Sequence, residues 1–361
     1  MLKFFYTQIF TLPTRLTLNL FWNFGSFLGV FIIFQVLRGF FIIFFYTPSV
    51  ELSFFSVQYI IFEVNRGWFF RLFHINGSSI LFFFLYLHFF KALYLNRFKL
   101  KKVWLRGLLM LILLIGIAFI GYSLVFSQMR YWAIVVITSL ISTIPVLGEI
   151  ILIWIWGGFR VGAGVLKLFF SLHFILPFAL LLVIFLHLLM LHRSGRTSHL
   201  NYSGDTYKYV FNPFYRVKDM YNLFWITIIF IFLIIFPYVF GDRELFIEAN
   251  SMVSPVHIAP EWYFCAFYAV LRSIPNKVLG VVAIGITLVD LGVLSLLNRR
   301  ITINKFYINI LVSFFVLNFI MLGWLGLSVA EDPFISLSFW GMVFYFLLLI
   351  ILKQLKYNFV F

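Results

Sequence analysis

Four histidines carry the first chemical signal in this 361-residue chain. His74 and His88 belong to one apolar stretch, His173 and His187 to another, and each pair is separated by 14 residues. Fourteen helical residues advance about 21 Å and turn about 1400°, which returns both imidazoles to within about 40° of one helix face. One helix therefore offers a ligand near each leaflet. The two stretches are the second and fourth apolar spans of the chain, so they run the same way. His74 then lies level with His173, and His88 with His187, an arrangement that suits two bis-histidine haems about 21 Å apart along the membrane normal. A single histidine in hydrocarbon is ordinarily a packing residue or a proton relay. Two matched pairs are not accounted for that way.

Glycine repeats the interval. Gly25 and Gly39 in the first span, and Gly107 and Gly121 in the third, are again 14 apart. A glycine at each haem level lets a flat macrocycle press on backbone. Close packing by small residues explains any one of them, but not the shared spacing. Arg71, one turn before His74, is placed to pair with a haem propionate, or equally to snorkel toward the interface. The only cysteine, Cys265, excludes an internal disulfide, a four-thiolate iron–sulfur cluster and a CxxCH haem attachment. Any cofactor is held without cysteine, so the haems are non-covalent.

These residues need a membrane bundle to position them. The chain is 63% hydrophobic, 22% aromatic and 11% charged, against about a quarter charged in a soluble domain. Apolar runs at 22–46, 76–95, 105–126, 165–191, 222–240, 279–297, 308–329 and 336–352 predict an all-α membrane protein of eight transmembrane helices. The first four form the dihaem bundle. Short alternating segments of the kind a barrel needs are not present. The N-terminus, MLKFFYTQIFTLPTRL, shows no small-residue cleavage site after a short apolar core, so no removable signal peptide is expected.

With eight spans, most of the 27 basic residues fall on the side of the two termini, where only Asp205 and Asp219 oppose them. Basic loops mark the negative side, matrix or cytoplasm. The +15 net charge then reflects topology and anionic lipid headgroups, cardiolipin among them, and not nucleic acid. Two segments between spans are more than connectors. Residues 127–161, broken by Pro145, Gly148 and Gly157-Gly158, predict two interfacial helices. Residues 242–277, with Pro255, Pro260 and Pro275, predict a folded loop containing a short helix. Both lie on the positive side and are placed to wall a common pocket. The chain divides into 1–210, an N-terminal dihaem four-helix module with the 127–161 helices, and 211–361, a C-terminal four-helix module carrying the Pro260-Glu261-Trp262-Tyr263 loop.

GWFFRLFHINGSS, FLYLHFF, QMRYWAIVVIT, WIWGGFRVGAG, FFSLHFILPF, APEWYF and FYAVLRSIPNKVLG resemble the corresponding stretches of cytochrome b, from about Trp22 to Asp332. Eight spans in one chain and the interval of 14 in the fourth resemble the fused respiratory form, not the split photosynthetic one. The resemblance implies a subunit of quinol:cytochrome c reductase in the mitochondrial inner membrane, with both termini on the matrix side. Its implied partners are a Rieske iron–sulfur protein and a cytochrome c1-type subunit, within a homodimeric complex. Phenylalanine richness and length also fit an organelle-encoded protein.

By the same resemblance Glu261 accepts a proton at the positive-side quinol oxidation site, where Tyr268, Tyr122, Phe119 and Pro260 line the pocket. A carboxylate is an available base at neutral pH, and aromatic rings suit a flat quinone head. His192, Lys218 and Asp219 are implied to bind quinone at the negative-side reduction site, which consumes two protons. Without the resemblance, each of these residues reads equally well as core or as a solvated border. A transporter or a smaller dihaem reductase are the competing classes. The first predicts no haem, and the second has no need of the Pro260–Tyr263 loop or of four further spans.

Several positions depart from the family pattern or have no role in it. Arg196 stands where a small polar residue is expected near the reduction site, Arg38 and Asp290 sit within spans, and His199 and His257 are unassigned. Arg38 and Asp290 are expected to face a subunit or a lipid headgroup. Ala133 stands where the family has glycine beside the oxidation pocket. Weak inhibition by strobilurin-type compounds is therefore expected, and tight inhibition of the purified complex would refute it.

Overall fold

The computed structural model describes residues 6–7, 10–16, 18–194, 208–241, 246–255, 257–296, 301–302 and 304–356. Arg196 and His199 lie outside them. In lipid, each backbone N–H and C=O must be bonded within its own segment, and the chain meets that demand with helices. In order these are α1 (Phe24–Ile43), α2 (Ser53–Phe62), α3 (Gly67–Tyr94), α4 (Lys101–Ser123), α5 (Gln128–Ser139), α6 (Gly148–Trp156), α7 (Ala163–Ser194), α8 (Phe214–Ile235), α9 (Cys265–Arg272), α10 (Lys277–Val293), α11 (Lys305–Leu327) and α12 (Phe334–Gln354).

Among the described residues seven helices, α1, α3, α4, α7, α8, α11 and α12, are long and apolar enough to cross a membrane. The eight expected spans differ from this count at the sixth. It is realised as α10, whose 17 residues reach about 26 Å, the lower limit for a hydrocarbon core. Its apolar run continues past Val293 as turn instead of helix. Conversely, α3 starts well before the apolar run 76–95, which puts Arg71, His74 and His88 on one continuous helix.

Local sequence explains the boundaries. Asn276 and Asn304 cap α10 and α11 by accepting from the backbone N–H of Leu279 and Phe306 at 3.1 and 2.9 Å. Residues 127–161 form α5 and α6, separated at Ile144–Leu147. Gly157, at φ +68°, ends α6 in the left-handed region that glycine enters without strain. The 242–277 segment contains the short helix α9 between Pro260 and Pro275. Two small ladders tie distant pieces together. β1 (Pro13–Arg15) pairs antiparallel with β2 (Lys208–Val210), and β3 (Ile301–Thr302) pairs parallel with β4 (Leu355–Lys356).

Two of the four apolar clusters among the described residues are large. One lies among α1, α3, α4 and α7 and includes Phe31, Phe82, Leu114, Ile117 and Leu180. The other gathers α9 to α12 around Val312, Phe315, Leu325, Tyr345 and Leu349. Tyr263 joins them. Its ring stacks on Phe82 of α3 at 4.1 Å and 3°, and its carbonyl accepts from the Tyr86 hydroxyl. Trp104 of α4 donates to the Leu291 carbonyl of α10 at 2.8 Å.

The two charged residues expected to face outward turn inward instead, because hydrocarbon leaves a charge no partner but protein. Arg38 is 6% exposed and lies among Phe34, Phe73 and Phe230. Asp290 of α10 pairs with Lys353 of α12 at 2.6 Å. The pair is partly buried, so removing one member leaves the other charge poorly compensated. Asp290→Asn or Lys353→Met alone is expected to lower the thermal midpoint of the assembled complex, with most of the loss recovered in the double variant. Additive losses in that double-mutant cycle would count against the pairing.

Candidate functional site

α3 carries His74 and His88, and α7 carries His173 and His187. The His74 and His173 rings face each other at 6.1 Å between centres and 87° between planes. Two imidazoles on opposite sides of one metal ion, each about 2 Å from it, put their ring centres about 6 Å apart. α1 and α4 supply the glycines, and each lies against one histidine. An ideal Cβ at Gly39 would stand 3.0 Å from His74 Cε1, and at Gly121 2.2 Å from His173 Cε1. At Gly25 the distance is 3.3 Å to His88 Cε1, and at Gly107 3.7 Å to His187 Cε1.

The polar atoms of these rings fit a haem. His173 Nδ1 lies 2.9 Å from the Ile117 carbonyl. A carbonyl only accepts, so Nδ1 carries the proton and Nε2 keeps its lone pair for a metal. The Nδ1 atom of His88 is buried with no hydrogen-bond partner. Among the described residues no cluster of three or more His, Cys, Asp or Glu could hold a bare metal ion. Two facing imidazoles suit an iron whose other ligands are the nitrogens of a macrocycle.

A cavity of about 1460 Å³, its mouth included, is walled by His74, His173, Gly39, Gly121, Arg71, Tyr122 and Glu261. One continuous space thus joins the histidine pair to the loop carboxylate. A second, much smaller cavity adjoins it and shares Arg71 and Arg130. Arg130 has no precedent in the sequence reading. It is 2% exposed, its Cζ stands 4.7 Å over the Tyr122 ring, and its Nε has no partner. Burial pushes its guanidinium below the ordinary value, while Tyr122 and Glu261 act the other way. Burial, then Glu261, pushes the Cys265 thiol up to about 12 and the Tyr263 phenol well above its usual range. Glu261 is therefore set among Arg130, Tyr263 and Cys265.

Tyr268, Phe119 and Pro260, expected in the same pocket, do not line this cavity. Tyr268 lies under the Arg272 guanidinium at 5.6 Å. Phe119 packs edge-on to Phe169 at 5.9 Å. The Pro260 carbonyl accepts from the Cys265 thiol at 3.4 Å.

At the other end of the bundle His192 lies in the last turn of α7, and Lys218-Asp219 in the second turn of α8. Ser26, next to Gly25, donates to Asp219 Oδ1 at 2.8 Å and accepts from Asn222 at 2.9 Å. Asn23 donates to the Lys218 carbonyl at 2.8 Å, and the Lys218 ammonium donates to the Leu18 carbonyl. Asn23, Ser26 and Asn222 belong to this polar group and were not legible as such. Nearly 200 residues separate them from their partners, and short polar side chains at a helix start ordinarily read as caps. His257, unassigned from sequence, has its Nε2 3.1 Å from the Leu327 carbonyl.

Fold and site together define a multi-pass helical membrane protein with the facing pair His74 and His173 in its interior. Residues 9–195 match the family model described as cytochrome b/b6/petB, and residues 248–346 match that of the C-terminal part, cytochrome b(C-terminal)/b6/petD. Cytochrome b of Caenorhabditis briggsae is 48% identical over 96% of this chain and 94% of its own length, and that of Apis mellifera ligustica 40% identical over 93% and 88%. A solved hyperthermophilic respiratory complex III is similar at a TM-score of 0.89 and 27% identity, covering 98% of this chain and 95% of that one. The chain belongs to the cytochrome b family, and as such it is a subunit of a complex III-type quinol:cytochrome c oxidoreductase that binds haem b.

The glycine distances grade the consequences of filling them. Gly121→Ala drives a methyl into the His173 ring and is expected to remove most of one haem b from the purified complex. Gly107→Ala, with ordinary van der Waals room, retains it. Haem content by pyridine haemochromogen and a reduced-minus-oxidised spectrum checks both.

Proposed function

We propose that the chain holds two non-covalent b haems, oxidises quinol at the end that carries Glu261 and reduces quinone at the end that carries Lys218 and Asp219, with proton translocation. The observation that carries this reading is the single cavity shared by Glu261, His74 and His173. When bound, haem b supplies a one-electron relay across the membrane. His74 with His173, and His88 with His187, would hold the haem irons, and Gly25, Gly39, Gly107 and Gly121 would leave backbone clearance for the macrocycles. Arg71, a cation on the cavity wall, suits a propionate.

Quinol is weakly acidic and must lose protons as it loses electrons. Glu261 takes a proton at its carboxylate oxygen and releases it on the positive side, with Arg130 and Tyr122 on the same cavity wall. Tyr268, Phe119 and Pro260 form the apolar approach to it. At the opposite site His192, Lys218 and Asp219 donate protons and hydrogen bonds to the quinone oxygens. Ser26, Asn23 and Asn222 hold Asp219 and the backbone of Lys218 in register.

The basic loops put both termini on the matrix side of a mitochondrial inner membrane and favour cardiolipin at that face. The first electron leaves to a Rieske iron–sulfur partner and onward through a cytochrome c1-type subunit, within a homodimeric complex. Modules 1–210 and 211–361 divide the work between haem binding and the oxidation-site loop.

A reduced-minus-oxidised spectrum is expected to show two b haems reducible by quinol, and their absence sinks the reading. Glu261→Gln is expected to slow quinol oxidation at least tenfold at neutral pH, about 1.4 kcal/mol of barrier, with both haems still present. Unchanged turnover would remove Glu261 from its assigned role.

A further inference from the structure

Arg38 is a buried cation within a membrane helix and belongs to neither quinone site. It immediately precedes Gly39, whose backbone lies against the His74 ring. Its Nη1 donates to the Phe73 carbonyl at 3.1 Å and to Gln35 Oε1 at 3.4 Å. Gln35 in turn donates to the His74 carbonyl at 2.8 Å. The guanidinium carbon lies 4.9 Å from the ring centre of Phe230, 5.4 Å from Phe34 and 5.5 Å from Phe73.

Every one of these partners is neutral, so the full positive charge of Arg38 persists in an apolar shell. Arg71 and Arg130 differ in this respect. They line the cavity, where carboxylates of a bound macrocycle can reach them, whereas Arg38 stands one layer behind its wall.

Reduction of an iron centre adds one negative charge. A fixed cation nearby favours the reduced form, and low-dielectric surroundings do not screen it. At an effective dielectric of about 20, a unit charge one side-chain layer away changes such an equilibrium by about a factor of ten. Charge near the iron is one of the means by which a protein sets haem potential. We infer that Arg38 is a tuning residue that raises the reduction potential of the haem at the His74/His173 level, and acts about half as strongly on the more distant haem at the His88/His187 level. The inference rests on the two-haem reading above.

A purely structural Arg38 would act differently. Its hydrogen bonds and ring contacts rivet α1 to α3 and α8, and losing a rivet disturbs ligation or assembly without a selective change in one midpoint. The test is a redox titration of the assembled complex, following the α-band absorbance of both b haems in unaltered, Arg38→Gln, Arg38→Met and Arg38→Lys forms.

In the Gln and Met variants one midpoint is expected to fall by about tenfold in its reduction equilibrium, about 59 mV for one electron, with the other falling by about half as much or less and the band positions retained. Arg38→Lys keeps the charge and is expected to stay within a third of that shift. Unchanged midpoints, or both moving equally, overturn the inference. If the neutral variants do not assemble, a full-sized fall in Arg38→Lys overturns it as well. Fewer than two b transitions in the unaltered complex is a different outcome, since that defeats the two-haem reading itself.

Discussion

The approach of glycine backbone to imidazole sets the geometry of the first half of this bundle. α1 meets α3 at two heights, through Gly25 on His88 and Gly39 on His74, and α4 meets α7 through Gly107 on His187 and Gly121 on His173. Two close contacts a few turns apart fix both the separation of a helix pair and its crossing angle, since neither end can move without opening one of them. α3 is the element that passes this order onward. Between its histidines lie Phe82 and Tyr86, which seat Tyr263 and with it the Glu261 loop. The position of the carboxylate is thus set by the helix that carries the histidines.

Charge inside the hydrocarbon is handled in three ways. Asp290 and Lys353 neutralise each other across two helices. Arg38 keeps its charge and is solvated by rings and carbonyls, each cation–π contact contributing about 0.5–2 kcal/mol. Arg71 and Arg130 are held at a cavity wall, available to an anionic group. The three solutions differ in what remains for chemistry: nothing in the first case, a field in the second and a binding contact in the third.

Much of this was legible because helix geometry is rigid. An interval of 14 residues means one face and a fixed rise wherever it occurs, so with the direction of the second and fourth spans His74, His88, His173 and His187 and their four glycines could be assigned to two levels. Apolar length placed the helices for the same reason. α2 escaped because ten residues between Glu51 and Glu63 look like a polar-bounded connector, and α10 fell short because an apolar run does not say where turn replaces helix. Arg130 read as part of an interfacial stretch, and only the packing of α5 against α4 brings it over Tyr122. The partners of Asp290 and Asp219 could not be read at all, because their identity depends on which helices are neighbours in space, and periodicity along one helix carries no such information.

The Asp290–Lys353 pair also has a history in time. The chain is threaded into the membrane from its N-terminus, and the two charges are 63 residues apart. Asp290 therefore reaches the bilayer on the short helix α10 well before Lys353 has been synthesised. Until α12 arrives, the Asp290 carboxylate lacks the partner it has in the finished fold, so α10 settles late even though it is made early. The closing of this contact marks the point at which the last four helices become one unit, and it ties completion of that unit to the final stretch of translation.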